Sequence, residues 1–434
     1  MEAGTGALRL ARRGPDFWVP ALGLALIAAT VAVGLTARAN GVRLGAGLAP
    51  FLADWRPVLR PTALPAATLL AAGVAAAPLL RSPRVRPWQF ALAALGLGLA
   101  LRLALGSARG GLDGLYAVYE LGNHEAASEY LPALPALDFG TRFFLDRFAE
   151  VGTSLPVHAI GHPPGLLVLM HWLGIDNAQA LAALTIGAGA LSVPLAYLLG
   201  RAVMDERRAR VATLLYVFAP SAMLYGATSA DALYATVALL AAVPLAARAT
   251  AAGSGALALA SFFSYANLAV GAWAALLAWQ RDGLRRAAAL AASCGLALLV
   301  FYAALHLATG YDPIGVLEAT ESVYREGIAS RRPYEFWVFG SPVAFLVALG
   351  LPIAWLLFRA AAAGEPAARA LLAVLGIAAV LGFTKAETER IYLFLVPIAC
   401  VAAATAVPER RLPLVLGALA AQALATELVL YTVW

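Results

Sequence analysis

Apolar residues fall in long, nearly unbroken runs, and polar residues collect in the short gaps between them. Runs near the ~20 residues that cross a bilayer occupy 17–37, 62–80, 89–107, 178–201, 208–224, 229–247, 287–307, 336–358, 368–383, 391–406 and 413–433. A further run, 255–279, carries "SYAN" at its midpoint and reads as two short helices that dip in and back. The pattern predicts roughly 13 crossings, and the first run, with no small-residue cleavage site closing it, reads as a retained helix.

Composition sharpens this. The chain has 434 residues, 62% hydrophobic and only 13% charged, too apolar for a soluble domain of that length. An all-α polytopic membrane protein is expected. The formal charge of +6 suits loops that face an anionic leaflet; arginine supplies it, with Lys385 the sole lysine. No basic domain points to nucleic acid. Cys294 and Cys400 lie inside apolar runs, which suggests neither a disulfide framework nor a zinc cluster.

Arginine placement sets the expected orientation. Arg9, Arg12 and Arg13, then Arg81, Arg84 and Arg86, "RAVMDERRAR" (201–210), "QRDGLRR" (280–286), Arg359 with Arg369, and "ERR" (409–411) fall on one side if the hairpins alternate. That side is read as cytoplasmic. The alternation holds only if "HPPGLLVLMHWLG" (162–174) does not cross, so it reads as a juxtamembrane or re-entrant helix opened by two prolines. The chemically unusual segments then collect on the extracytoplasmic side: 108–161, 308–336, "TKAETER" (384–390), and all five histidines, His124, His158, His162, His171 and His306.

Three stretches could carry chemistry. In "YELGNHEAASEYLPALPALDF", Glu125 and Glu129 are four apart, so on a helix both carboxylates share a face, with Tyr130 and a proline break beyond. A partly desolvated carboxylate there can act as general base toward an acceptor hydroxyl; otherwise this is a solvated helix face, and Asp113, Glu120, Asp138, Asp146 and Glu150 compete for the role. In "HAIGHPPG", imidazoles and a proline-opened helix could hold an anion such as phosphate, with metal ligation by His158 and His162 or a capped turn as the other readings. In "GFTKAETERIYLF", Lys385, Glu387, Glu389 and Arg390 sit between apolar spans, where dense charge implies water, a polar cavity or an ion pair. Asp231, at the outer end of another span, is expected to cap the helix that follows.

Together, "SEYLPALP", "GHPPG", "LLYVFAPSAMLYGATSADALY" and "AETERIYLFLVP" resemble motifs of the GT-C type polyprenyl-phosphate-sugar-dependent glycosyltransferases, the superfamily of protein mannosyltransferases and aminoarabinose transferases. The likeness spans roughly 90–406. It implies a GT-C-like bundle of roughly 11–13 transmembrane helices with juxtamembrane helices in a long extracytoplasmic loop: residues 1–88 form an added N-terminal hairpin and 89–434 the catalytic module, with 108–161 as catalytic loop. The resemblance carries the catalytic carboxylate to Glu129. Because the family's Asp-Glu pair is not present, Glu125 and Asp138 stay open as alternatives. Donor phosphate would meet His162, Arg390, Lys385 and Arg332, with Arg331 in reserve; Tyr130, His158, Tyr334, Glu387 and Asp231 would contact substrate.

The implied function is transfer of a hexose or pentose, by inversion, from a polyprenyl phosphate to a hydroxyl of a glycan, glycolipid or protein in the cell envelope, at the outer face of the cell membrane. No cofactor is expected, though a divalent metal is possible. The rival readings are a secondary transporter or flippase, for which Arg102 and the "SYAN" break leave room, and an inactive scaffold of the same fold.

Overall fold

The computed structural model describes residues 14–432 and Trp434; Arg9, Arg12 and Arg13 lie outside the described residues. The described residues are all-α except for one two-stranded ribbon. Among the described residues six helices are long and apolar enough to cross a membrane, or eight if each of two bent pairs is one span. Helix Leu284–Thr309 shows why lipid is the fitting solvent. It has 26 residues, yet only 11% of its most apolar window is buried against protein, and Leu296, Leu299, Val300 and Leu307 all face outward. In water this stripe would be a large exposed apolar patch.

Several expected crossings are interrupted instead of continuous. The 208–224 run divides into Glu206–Phe218 and Pro220–Thr228, bent by 58°, because Pro220 has no amide for the ladder. The 336–358 run divides at Gly350 into Tyr334–Leu349 and Leu351–Ala362, bent by 111°. Gly350 has φ +108°, and a Cβ there would lie 2.3 Å from Leu419 Cδ2, so both backbone and packing require glycine at this corner. The 229–247 and 368–383 runs become helices of sixteen residues each. The 391–406 run is broken into Thr388–Ile391, a 3-10 turn and Val396–Ala404. The 255–279 run forms two helices, Thr250–Ser261 and Leu268–Asp282, around a 3-10 turn at Tyr265–Asn267.

Glu206–Phe218, Asp231–Ala246 and Val396–Ala404 form the buried centre. The first helix, Pro15–Ala39, lies against Leu351–Ala362, where Gly23 leaves room for the Phe358 ring; Ala63–Leu80 packs on Pro87–Gly106 and Leu412–Val429. Arg102, buried inside a span, donates to Gly189 O, Ser192 Oγ and Tyr216 Oη. The break at Leu191 opens the Gly189 carbonyl to side chains, and it accepts from both Arg102 Nη1 and Ser192 Oγ. Its contacts are a packing solution with neutral partners.

Arginines also tie neighbouring turns together. Arg210 donates to the carbonyls of Leu80, Ser82 and Val85, and Arg248 pairs with Asp282 at 2.6 Å. "HPPGLLVLMHWLG" yields a helix of only nine residues, Gly165–Leu173, which at about 1.5 Å per residue covers less than half a hydrocarbon core.

The last apolar run departs from expectation. Its helix stops at Val429, and Leu430–Thr432 (β2) pairs antiparallel with Ala53–Trp55 (β1), with Asp54 opposite Tyr431. Aromatic and β-branched residues in "LYTVW" favour the extended chain. Arg109 locks the ribbon by donating to the carbonyls of Glu427, Leu430 and Arg56.

Candidate functional site

Four stretches distant in sequence converge: the 117–165 loop, the helix start at Asp231, the 384–391 turn and the end of the ribbon. In the loop, Glu125 and Glu129 do not share an α-helix. Glu125–Ser128 is a 3-10 turn, Glu129 is extended, and Leu131–Leu137 is again 3-10. Pro132 and Pro135 remove the amides an α-helix would need. The two carboxylates nevertheless meet through His158, whose Nε2 lies 2.9 Å from Glu125 Oε1 and 4.0 Å from Glu129 Oε1.

Glu129 is 3% exposed. Its Oε1 accepts from the indole Nε1 of Trp434 at 3.2 Å, and its buried Oε2 has no hydrogen-bond partner. Burial pushes its carboxyl above the usual glutamate range, against the opposing pull of His158 and Arg390. For His158, burial disfavours the charged ring, but Glu129 and the Glu125 hydrogen bond outweigh it and hold its pKa above the ordinary value. Such a carboxyl is poised to hold or release a proton closer to neutrality than a solvated glutamate.

The 384–391 turn builds a wall of paired charges. Ala386 and Glu387 adopt left-handed backbone angles, φ 66° and 61°, a conformation unusual for residues with side chains. Ser341 fixes it, since its Oγ accepts from Ala386 N at 3.2 Å and its carbonyl accepts from Thr388 Oγ1. The kink aims Glu387 between two arginines: Oε1 is 2.6 Å from Arg332 Nη2 and Oε2 is 3.1 Å from Arg390 Nη2. Arg390 Nη1 reaches Asp231 Oδ2 at 2.5 Å. Burial would raise the Glu387 pKa, but Arg390 and Arg332 hold it below the usual range. Arg390 Nε is buried without a partner, and the Trp434 ring covers the guanidinium, its centroid 3.8 Å from Cζ.

Asp231 does not cap its helix. It occupies the first turn, where Ser229 Oγ accepts from its amide at 3.1 Å and donates at 2.6 Å to Oδ2, the same oxygen that accepts from Arg390. Tyr130 is buried, and its hydroxyl accepts from Tyr234 at 2.8 Å. His162 lies near Tyr234, ring centroids 4.8 Å apart and planes tilted by 46°, and its Nδ1 sits 3.2 Å from Ser264 Oγ in the "SYAN" turn. Burial lowers the His162 pKa to about 4. At neutral pH it offers an anion a hydrogen bond and no charge. The first amide of the proline-opened helix, Gly165 N, is taken by Phe262 O at 3.0 Å, so that helix end is less free than the sequence suggested.

The remaining candidates lie apart. Lys385 Nζ turns to Ala329 O at 3.3 Å, although its backbone carbonyl accepts from Arg332. Tyr334 is exposed and donates to Val380 O. Asp138 is exposed at the end of its 3-10 helix, Arg331 is exposed too, and among the described residues no ion pair joins either to the cluster. Sequence reasoning missed Trp434, because the run up to 433 read as one more span, and it missed segment 48–55, whose Leu52 amide donates to Glu389 Oε1 at 2.7 Å. The aromatic and β-branched character of "LYTVW" was the available signal.

No protein-family model matches the chain, and no curated protein or solved structure is significantly similar to it.

Proposed function

We propose that this protein is an integral-membrane glycosyltransferase that moves a sugar from a polyprenyl phosphate to an acceptor hydroxyl at the extracytoplasmic face. The observation that carries the reading is the juxtaposition of a buried carboxylate, Glu129, with a buried arginine, Arg390, the two joined across one indole, in a protein rich in lipid-facing helices. Sugar transfer by inversion asks for these two functions side by side. A base takes the hydroxyl proton as the oxygen attacks the anomeric carbon, and a cation offsets the charge that grows on the departing phosphate.

Glu129 suits the first role because burial raises its proton affinity and one oxygen is unpartnered. His158 and Glu125 would brace it and carry the proton away. Arg390 suits the second role, with Arg332 and Glu387 holding it from behind and its Nε left over for a phosphate oxygen. Asp231 positions the guanidinium, while Tyr130 and neutral His162 would supply hydrogen bonds to the sugar. Lys385, Tyr334 and Asp138 take no part in this reading. The prenyl chain would lie among lipid-exposed helices, the acceptor being a glycan, glycolipid or protein.

The test is direct: the purified protein in lipid nanodiscs, given polyprenyl phosphates bearing labelled hexoses or pentoses and a membrane extract as acceptor, should yield a labelled product of inverted anomeric configuration. Absence of transfer from every such donor, with donor binding also absent, would overturn the reading.

A further inference from the structure

We propose that Glu125, Glu129 and His158 form a binding site for a divalent first-row transition-metal cation. One ligand atom from each residue lies within 4.8 Å of the other two. The closest pair, His158 Nε2 and Glu125 Oε1, is 2.9 Å apart, and His158 to Glu129 is 4.0 Å. Donor atoms about 2.0–2.2 Å from one ion sit roughly 3–3.5 Å from each other, so the trio reaches coordination distance by side-chain movement of about an ångström.

Two further observations point to a cation. The first is an orphaned acceptor: Glu129 is almost wholly buried and its Oε2 has no hydrogen-bond partner, a costly arrangement for a carboxylate unless something positive completes it. The second is local charge. Arg332 and Arg390 are matched one for one by Glu387 and Asp231, which leaves the Glu125 and Glu129 carboxylates with a single imidazole between them. One doubly charged ion would balance the pair. Two carboxylate oxygens with one imidazole nitrogen form a borderline donor set, better suited to manganese, iron or zinc than to magnesium. The remaining coordination positions would be open to water or to an acceptor oxygen.

The inference goes beyond transferase activity, since cation binding rests on three side chains and is read without a sugar donor. The chelator-treated full chain in nanodiscs is titrated with Mn2+, with free ion followed by electron paramagnetic resonance. One saturable Mn2+ per chain is expected, displaced by Zn2+ and poorly by Mg2+, with affinity weakened roughly 10-fold or more in Glu125→Gln and His158→Gln. Glu150→Gln, an exposed acid on the same loop, should bind as the unsubstituted chain does. If Glu125→Gln does not fold, Glu125→Asp, which withdraws the ligand by one methylene, carries the comparison. No saturable binding of Mn2+ or Zn2+ at millimolar metal, or binding unchanged in the Glu125 and His158 variants, would overturn the proposal. Metal binding without sugar transfer would leave this site standing and count against the transferase reading alone.

Discussion

The Trp434 ring lies over Arg390, its centroid 3.8 Å from the guanidinium carbon, and the same indole donates to Glu129 Oε1 over 3.2 Å. One side chain thus covers both groups assigned to the chemistry. It is held there by the ribbon of Leu430–Thr432 with Ala53–Trp55, an element contributed by two segments far apart in the sequence.

A donor phosphate that reaches Arg390 must displace this ring. Trp434→Ala should therefore bind polyprenyl-phosphate sugar more tightly, roughly 3- to 30-fold, the worth of one cation–π contact and one hydrogen bond. Trp434→Phe, which keeps the stack and loses the donor, should fall between. Equilibrium binding of labelled donor in nanodiscs measures this, and unchanged affinity in both variants would show that the indole does not guard the arginine.

Glu387 joins two buried arginines, so its neutralisation strands two charges. Glu387→Gln is expected to lose about 3–5 kcal/mol at neutral pH, seen as an early thermal melt in detergent. The sign follows from its lowered pKa. The stabilisation is complete above the ordinary glutamate value and disappears as pH falls through the lower folded value. Chain and variant should therefore converge in stability only in acid.

Two residues on, Glu389 behaves oppositely. Burial pushes its carboxyl up from 4.5 to about 7 despite the Leu52 hydrogen bond. The folded state therefore holds a proton that the unfolded state releases, and stability declines as pH rises from about 4.5 through 7. Glu389→Gln should remove that decline and melt later than the unsubstituted chain at pH above about 7, by the equivalent of roughly 1–3 kcal/mol. Parallel melting curves across that range would contradict the assignment.

The arginine-bearing turns and the carboxylate cluster are expected on opposite membrane faces. Thiols introduced as Glu120→Cys and Arg207→Cys, with Cys294 and Cys400 both buried, should be labelled from opposite sides by an impermeant reagent. Labelling from one side would break the topology.

Long apolar runs made the helical, lipid-facing character legible, because a run of leucine, alanine and valine near the bilayer length carries its own evidence. The breaks were less so. Pro220 and Gly350 turn single runs into bent pairs, and their effect depends on what packs at the corner, as Leu419 does against Gly350. At the site, "HEAASEYLPALP", "HAIGHPPG", "GATSADALY" and "TKAETER" did point to residues that meet: Glu125, Glu129, His158, Asp231, Glu387 and Arg390. Their pairing was not legible, since Arg390 reaches back 159 residues to Asp231, and no local spacing encodes such a contact. Asp138, Lys385 and Tyr334 looked equally suitable in sequence, because exposure and side-chain direction are decided only by the fold. Trp434 was hidden by its own hydrophobicity.

The role of Glu129 as the base is tested by the rate of sugar transfer in Glu129→Gln beside Glu125→Gln and Asp138→Asn. Glutamine keeps the shape and the bond from Trp434 but removes the basic oxygen. Turnover should fall roughly 10²-fold or more in Glu129→Gln, with donor binding preserved. Glu125→Gln should fall less, and exposed Asp138→Asn should run near the unsubstituted rate. Glu129→Gln transferring sugar at full rate would contradict the assignment of the base, and full activity in all three variants would contradict the mechanism itself.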